Sequence, residues 1–207
     1  MTENILRTHI LHNNSESSAY YNYRPGITTL LSYVTGVEED IIAKTKIHSR
    51  SLYRYIPTYQ AKKGGGAITL GNRKWKSITF TENFFSDDKT LYGHAAYANR
   101  PQVWLRLSAH EVGHLHHTHR FKFFVVYLFV FLYQYMRYGH DAAPLEKEAD
   151  AGPRVLAEFS AYVRRTYNLS VLNDCIIASI SEEEKKALLM EWWGGFVRGS
   201  AQDSSIV

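Results

Sequence analysis

His110 and His114 stand four residues apart, with Glu111 beside the first, in the run His110-Glu111-Val112-Gly113-His114. On a helix, positions i and i+4 differ by one turn and about 40°, so both imidazoles leave the same face. Two nitrogens at that separation can hold one Zn²⁺. The neighbouring Glu111 carboxylate suits a general base that takes a proton from a water polarised by the ion. The spacing therefore predicts one Zn²⁺, Glu111 as the catalytic residue, and hydrolysis, with a peptide bond as the expected target.

A catalytic zinc needs a third protein ligand. His116, His117 and His119 share or follow the helix of the first pair and are poorly placed to close a tetrahedron. The longer pattern HExxHxxGxxH would need glycine at position 117 and histidine at position 120. This chain has His117 and Arg120, which excludes that class. Glu146, in Glu146-Lys147-Glu148-Ala149-Asp150, is the better candidate. Glu146 and Asp150 share a helix face, and Glu148 points about 200° away. A second helix packed on the first would bring Glu146 to the metal. Asp150, one turn on, would then accept the free N–H of a ligating imidazole and fix its tautomer.

HExxH followed by ExxAD resembles the gluzincins, and among them the membrane CAAX-processing and heat-shock protease family. That resemblance implies Glu146 as a metal ligand and Asp150 as the residue that orients a ligating histidine. WLRLSAHEVGH with YGHDAAPLEKEADAG also resembles metallopeptidase toxin domains of bacterial Rhs-type and related secreted proteins, over about residues 92–155. This second likeness implies a bacterial effector with a cognate immunity or inhibitor protein. The membrane proteases carry several long spanning helices that this chain lacks.

A tetrahedral oxyanion needs a donor besides the ion. His94, Tyr92, Tyr97, His140 and Arg154 are candidates through their nearness to the motifs, and the sequence does not choose among them. Zincins commonly lay an extended peptide along the strand beside the active helix. Ile78, Thr79 and Phe80, within the run Trp75–Thr81, are the expected docking strand.

The elements that must position these groups follow from local signals. Ile27–Tyr33 and Val37–Ile47 read as two helices broken at Gly36, and Ala67–Leu70 and Trp75–Thr81 as an edge hairpin turned at Gly71-Asn72. Pro101 opens the helix of the HExxH. Pro144 opens the helix of Glu146, which Gly152-Pro153 should interrupt before helix resumes to Tyr167. Ser181-Glu182-Glu183-Glu184 is a capping box for a last helix. The expected fold is α+β: a mostly helical, zincin-like metalloprotease with a small β-hairpin sheet beside the active-site helix. Residues 1–24 are expected as a flexible segment, 25–200 as a single metallopeptidase domain, and 201–207 as a flexible tail.

Composition bounds the rest. The chain has 207 residues, 45% of them hydrophobic, which suits one domain with a sizeable core. Its one cysteine, Cys175, excludes an internal disulfide. The N-terminus lacks the basic start and apolar run of a signal peptide. The expectation is a chain that is cytoplasmic in its producer or exported by a signal-independent route. Net charge is +4, and nine lysines and arginines fall between Lys44 and Lys76 without one acidic residue. No nucleic-acid motif accompanies them, so a solvated basic face is favoured and nucleic acid is not an expected partner.

Phe121–Met136 is almost wholly apolar, yet as a helix it spans only about 24 Å against the ~30 Å of a bilayer core. A buried central helix is the favoured reading. Membrane association through 121–136, flanked by Arg120, Lys122 and Arg137, and a sticky surface for a partner protein are the alternatives. Two rival functions stand beside the peptidase. One is a zinc amidase acting on a non-protein amide such as a cell-wall link. The other is a non-enzymatic module that binds nucleic acid or lipid through residues 44–76.

Overall fold

The computed structural model describes residues 9–13, 20–49, 66–80, 101–121, 123–139 and 141–203. Two short strands, β1 (Leu11–His12) and β2 (Asn22–Tyr23), pair antiparallel and lead into α1 (Pro25–Thr35). Ile10, Leu11 and Tyr23 are buried in the core. The folded part therefore starts upstream of Pro25, and the flexible segment expected over 1–24 is corrected for these residues.

Pro25 occupies the first turn of α1, where its missing N–H leaves no bond unmade. Gly36, in the left-handed conformation at φ 71°, closes that helix. The helix read over Val37–Ile47 is shorter. It spans α2 (Glu39–Ala43) and gives way to strand β3 (Lys46–Ser49).

β4 (Ala67–Gly71) and β5 (Lys76–Phe80) form the expected hairpin. The sheet order is β3-β5-β4, with β3 parallel to β5 and Ile47 opposite Ile78. Ile78, Thr79 and Phe80 thus lie on the central strand, whose backbone is bonded on both sides. They are not the edge strand, which corrects their expected role. Among the described residues, β4 is the edge strand that touches the HExxH helix.

The helical layer is built around α3 (Pro101–Gly113), which contacts α1, β4, α6 (Pro144–Ala149) and α7 (Ala151–Tyr167). Trp104 of α3 is fully buried, stacks on Phe80 at 4.8 Å and meets Tyr23 edge-on at 5.9 Å, tying helix to sheet. α4 (Leu115–Arg120) continues the line of α3 beyond His114. α8 (Glu182–Asp203) packs on α1, with Trp193 stacked on Tyr33 at 5.3 Å. Its capping box is made as read: Ser181 N–H donates to Glu184 Oε2 at 2.8 Å, and Glu184 N–H donates to Ser181 Oγ at 3.1 Å. Helix continues to Asp203, past the start of the tail expected over 201–207.

Two further expectations are corrected. The break near Pro153 falls instead at Asp150, between α6 and α7, so Pro153 sits in the first turn of α7 and its missing N–H costs nothing. The apolar run forms α5 (Phe124–Tyr138). It is not a buried central helix: only Tyr127 is buried, and Phe129 and Met136 are 70% and 79% exposed.

Candidate metal centre

The backbone stays helical through the junction of α3 and α4. His114 has φ −64° and ψ −17°, and its N–H bonds His110 O at 3.3 Å. The two imidazoles therefore share a face, with His110 Nε2 and His114 Nε2 3.2 Å apart.

Glu146 reaches them from α6. Its Oε2 lies 3.2 Å from His110 Nε2 and 3.5 Å from His114 Nε2. Two small residues permit this approach. A Cβ on Gly113 would stand 2.9 Å from Ala149 O, and one on Gly152 would stand 2.8 Å from Ala109 O. Backbone therefore packs directly on backbone where α3 meets α6 and α7.

The donor set fits a divalent cation. A tetrahedral ion with bonds of about 2.0–2.1 Å has ligand–ligand edges of about 3.3–3.4 Å, close to the three distances found. The tautomers agree with that reading. Asp150 Oδ1 lies 2.8 Å from His110 Nδ1. A carboxylate can only accept, so Nδ1 carries the proton and Nε2 turns its lone pair toward Glu146.

On the other ring, His114 Nδ1 lies 3.2 Å from His117 Nδ1, and His117 Nε2 lies 3.0 Å from Glu148 Oε2. Burial and the neighbouring His114 hold the His117 pKa down to about 4, so that ring is neutral. Its one proton goes to Glu148, and its Nδ1 accepts from His114. His114 Nε2 then also offers a lone pair to the centre. Three lone pairs facing one point repel unless a cation, or a proton, lies among them. In the metal-free protein a proton serves. Burial alone would lower the His110 pKa, but the hydrogen bond and charge of Glu146, the charge of Glu111 and the bond to Asp150 outweigh it and lift it to about 9.

Glu111 is buried and is held from β4. The Thr69 hydroxyl lies 2.7 Å from Glu111 Oε2 and 2.9 Å from Glu111 O. Tyr127 closes another side, its ring stacked over His117 at 6.3 Å. Burial raises its phenol pKa, and the charges of Glu111 and Glu146 raise it further, so it stays a neutral hydroxyl.

His110, Glu111, His114, Glu146 and Asp150 are thus brought together as the sequence predicts. Of the oxyanion candidates, Arg154 is exposed and bonds Asp150 O at 3.3 Å. His94, Tyr92, Tyr97 and His140 lie outside the described residues. Thr69, His117, Glu148 and Tyr127 carry no sequence signal for these roles, except that His117 sits three residues after His114, the spacing of neighbours on one helix face.

A cavity of about 350 Å³ lined by Gln102, Arg106, Leu156, Arg164 and Leu172 includes none of the metal-site side chains. Comparison with protein-family models, with curated proteins and with solved structures found no match.

Proposed function

We propose that this chain is a zinc-dependent hydrolase of peptide bonds. The observation that carries the reading is the convergence of His110, His114 and Glu146 within 4.8 Å of one another, with the Glu111 carboxylate on the same turn of helix. Two histidines and a glutamate are a ligand set of catalytic zinc, which keeps one position open. When bound, the ion supplies Lewis acidity and lowers the pKa of a coordinated water.

The remaining work falls to the chain's own groups. Glu111 accepts the proton of the attacking water and hands it to the departing amine. Thr69 fixes one oxygen of that carboxylate, leaving the other to receive the proton. Asp150 and the pair His117–Glu148 hold both imidazoles with Nε2 inward. Tyr127, protonated and beside both carboxylates, is a candidate donor to a developing oxyanion. Among the described residues β4 is the edge strand beside the HExxH helix, the place where an extended peptide would lie.

The test is elemental analysis with a protein-cleavage assay on zinc-loaded parent, E111Q and E146A, with a chelator control. E111Q is expected to keep a full metal complement and lose at least about a hundredfold in kcat. E146A is expected to lose the metal. Undiminished cleavage by E111Q removes Glu111 from the reaction, and full metal content in E146A puts the third ligand elsewhere.

A further inference from the structure

α5 has no acidic residue and one charge, Arg137. Its inward stripe is Phe124, Tyr127, Phe131 and Gln134; Gln134 accepts from Leu145 N–H at 3.0 Å. Val125, Val126, Leu128, Phe129, Leu132 and Met136 all face outward and are exposed. A helix on a protein surface normally turns a polar face to water. This one turns six aliphatic and aromatic side chains to water instead, and an exposed apolar patch of such extent marks a binding surface.

A second exposed feature lies against its start. The β4–β5 turn carries Arg73, Lys74 and Trp75, all exposed, with Lys76 half-buried. The Trp75 ring sits 6.1 Å from that of Phe124. At the far end, Arg137 donates to the Tyr133 hydroxyl at 2.8 Å and lies 5.5 Å from the Tyr138 ring. Apolar side chains thus occupy the middle of the surface, with tryptophan, tyrosines and cations at its two ends. From Val112 to His140 the sequence has no aspartate or glutamate.

We propose that α5 and the β4–β5 turn form one docking surface for an anionic lipid bilayer. The helix lies in the interface, and Lys74, Lys76 and Arg137 meet the phosphates. Charge selects the occupant. A second copy docked through the same face would present the same cations and no acidic complement, whereas an anionic headgroup layer complements them along its whole plane. Length sets the mode of contact: α5 is about 22 Å long, and among the described residues no helix is long and apolar enough to cross a membrane. Tyr127 faces the metal centre from the opposite side of the same helix, so docking would hold that centre at the bilayer surface.

The test is flotation of the full chain with vesicles of phosphatidylcholine alone and with about one-quarter phosphatidylserine. The parent is expected to float with the anionic vesicles, and less so as salt rises. F129E/M136E is expected to lose at least about tenfold in partition, and K74E to weaken binding and flatten the salt dependence. Both variants change exposed residues, so circular dichroism and zinc content should match the parent. E111Q must float as the parent does, which keeps this result separate from hydrolysis.

Absence of flotation, or parent-like flotation of F129E/M136E, overturns the proposal. Equal partition into neutral vesicles overturns the anionic assignment. A parent dimer that F129E/M136E converts to a monomer, without vesicle binding, assigns the surface to a second copy instead.

Discussion

His110, Glu111 and His114 are each oriented by hydrogen bonding to a neighbouring side chain: Asp150, Thr69 and His117. The weakest restraint is that on Glu111: a single hydroxyl proton on Thr69 serves both its carboxylate and its carbonyl. Replacing Thr69 by valine keeps the shape and removes that proton. A lost hydrogen bond to a charged group is worth about 1.5–3 kcal/mol, so kcat in T69V is expected to fall about tenfold to a hundredfold. Zinc content and KM should hold, because the Thr69 hydroxyl bonds Glu111 and none of the three ligands, and T69S should restore the rate. Steady-state kinetics beside elemental analysis checks this, and a parent-like kcat in T69V would mean that Glu111 is positioned by other contacts. The five predicted residues were legible because their chemistry is written in spacings of three and four. Thr69 and Tyr127 come from a strand and a helix elsewhere in the chain, and no local spacing announces them. Glu148 was legible as pointing away from Glu146, and that direction is the one that brings it to His117.

Close contact between elements converts these residues into a centre. Gly113 lets α6 lie against α3, and a Cβ there would stand 2.9 Å from Ala149 O and 3.0 Å from Ala149 Cα. Neither atom belongs to a flexible side chain, so α6 must move. G113A is expected to lose about 1–3 kcal/mol of metal-free stability and at least about tenfold in zinc affinity as Glu146 withdraws. G194A is the control: inside α8 its Cβ meets only the Arg198 side chain at 3.5 Å, and alanine is the better helix former. Denaturant unfolding and zinc titration of both variants check the contrast, and unchanged affinity in G113A would show that α6 tolerates the shift. At this scale the helix starts were readable from Pro101, Pro144 and the Ser181 capping box, since caps are local chemistry. Strand order was not. Alternation in 75–81 identifies a strand, but only the distant pairing of Ile47 with Ile78 makes it central. Composition could not decide the place of α5 either, because an apolar helix suits a core or an interface equally.

Over the whole molecule, the proposed centre would couple metal, protons and folding. Without metal, the folded His110 pKa of about 9 lies above its ordinary 6.5. A raised pKa means that the folded state holds a proton the unfolded chain has released, so this contribution is fully present below pH 6.5 and is lost as pH rises through 9. Its size is on the order of 3 kcal/mol, most of it lost between pH 6.5 and 8.5. That window avoids Cys175, whose thiol burial pushes from 9.0 up to about 12, so it stays protonated there in the fold. With zinc the sign reverses. The cation takes the place of the proton, protons compete for both imidazoles, and stability falls as pH is lowered. Urea unfolding of chelator-treated and zinc-loaded protein across this window should therefore give slopes of opposite sign. Equal slopes would mean that no ion replaces the His110 proton. The metal reading would then fail at its root, because the three inward lone pairs would be satisfied by that proton at every pH the protein meets.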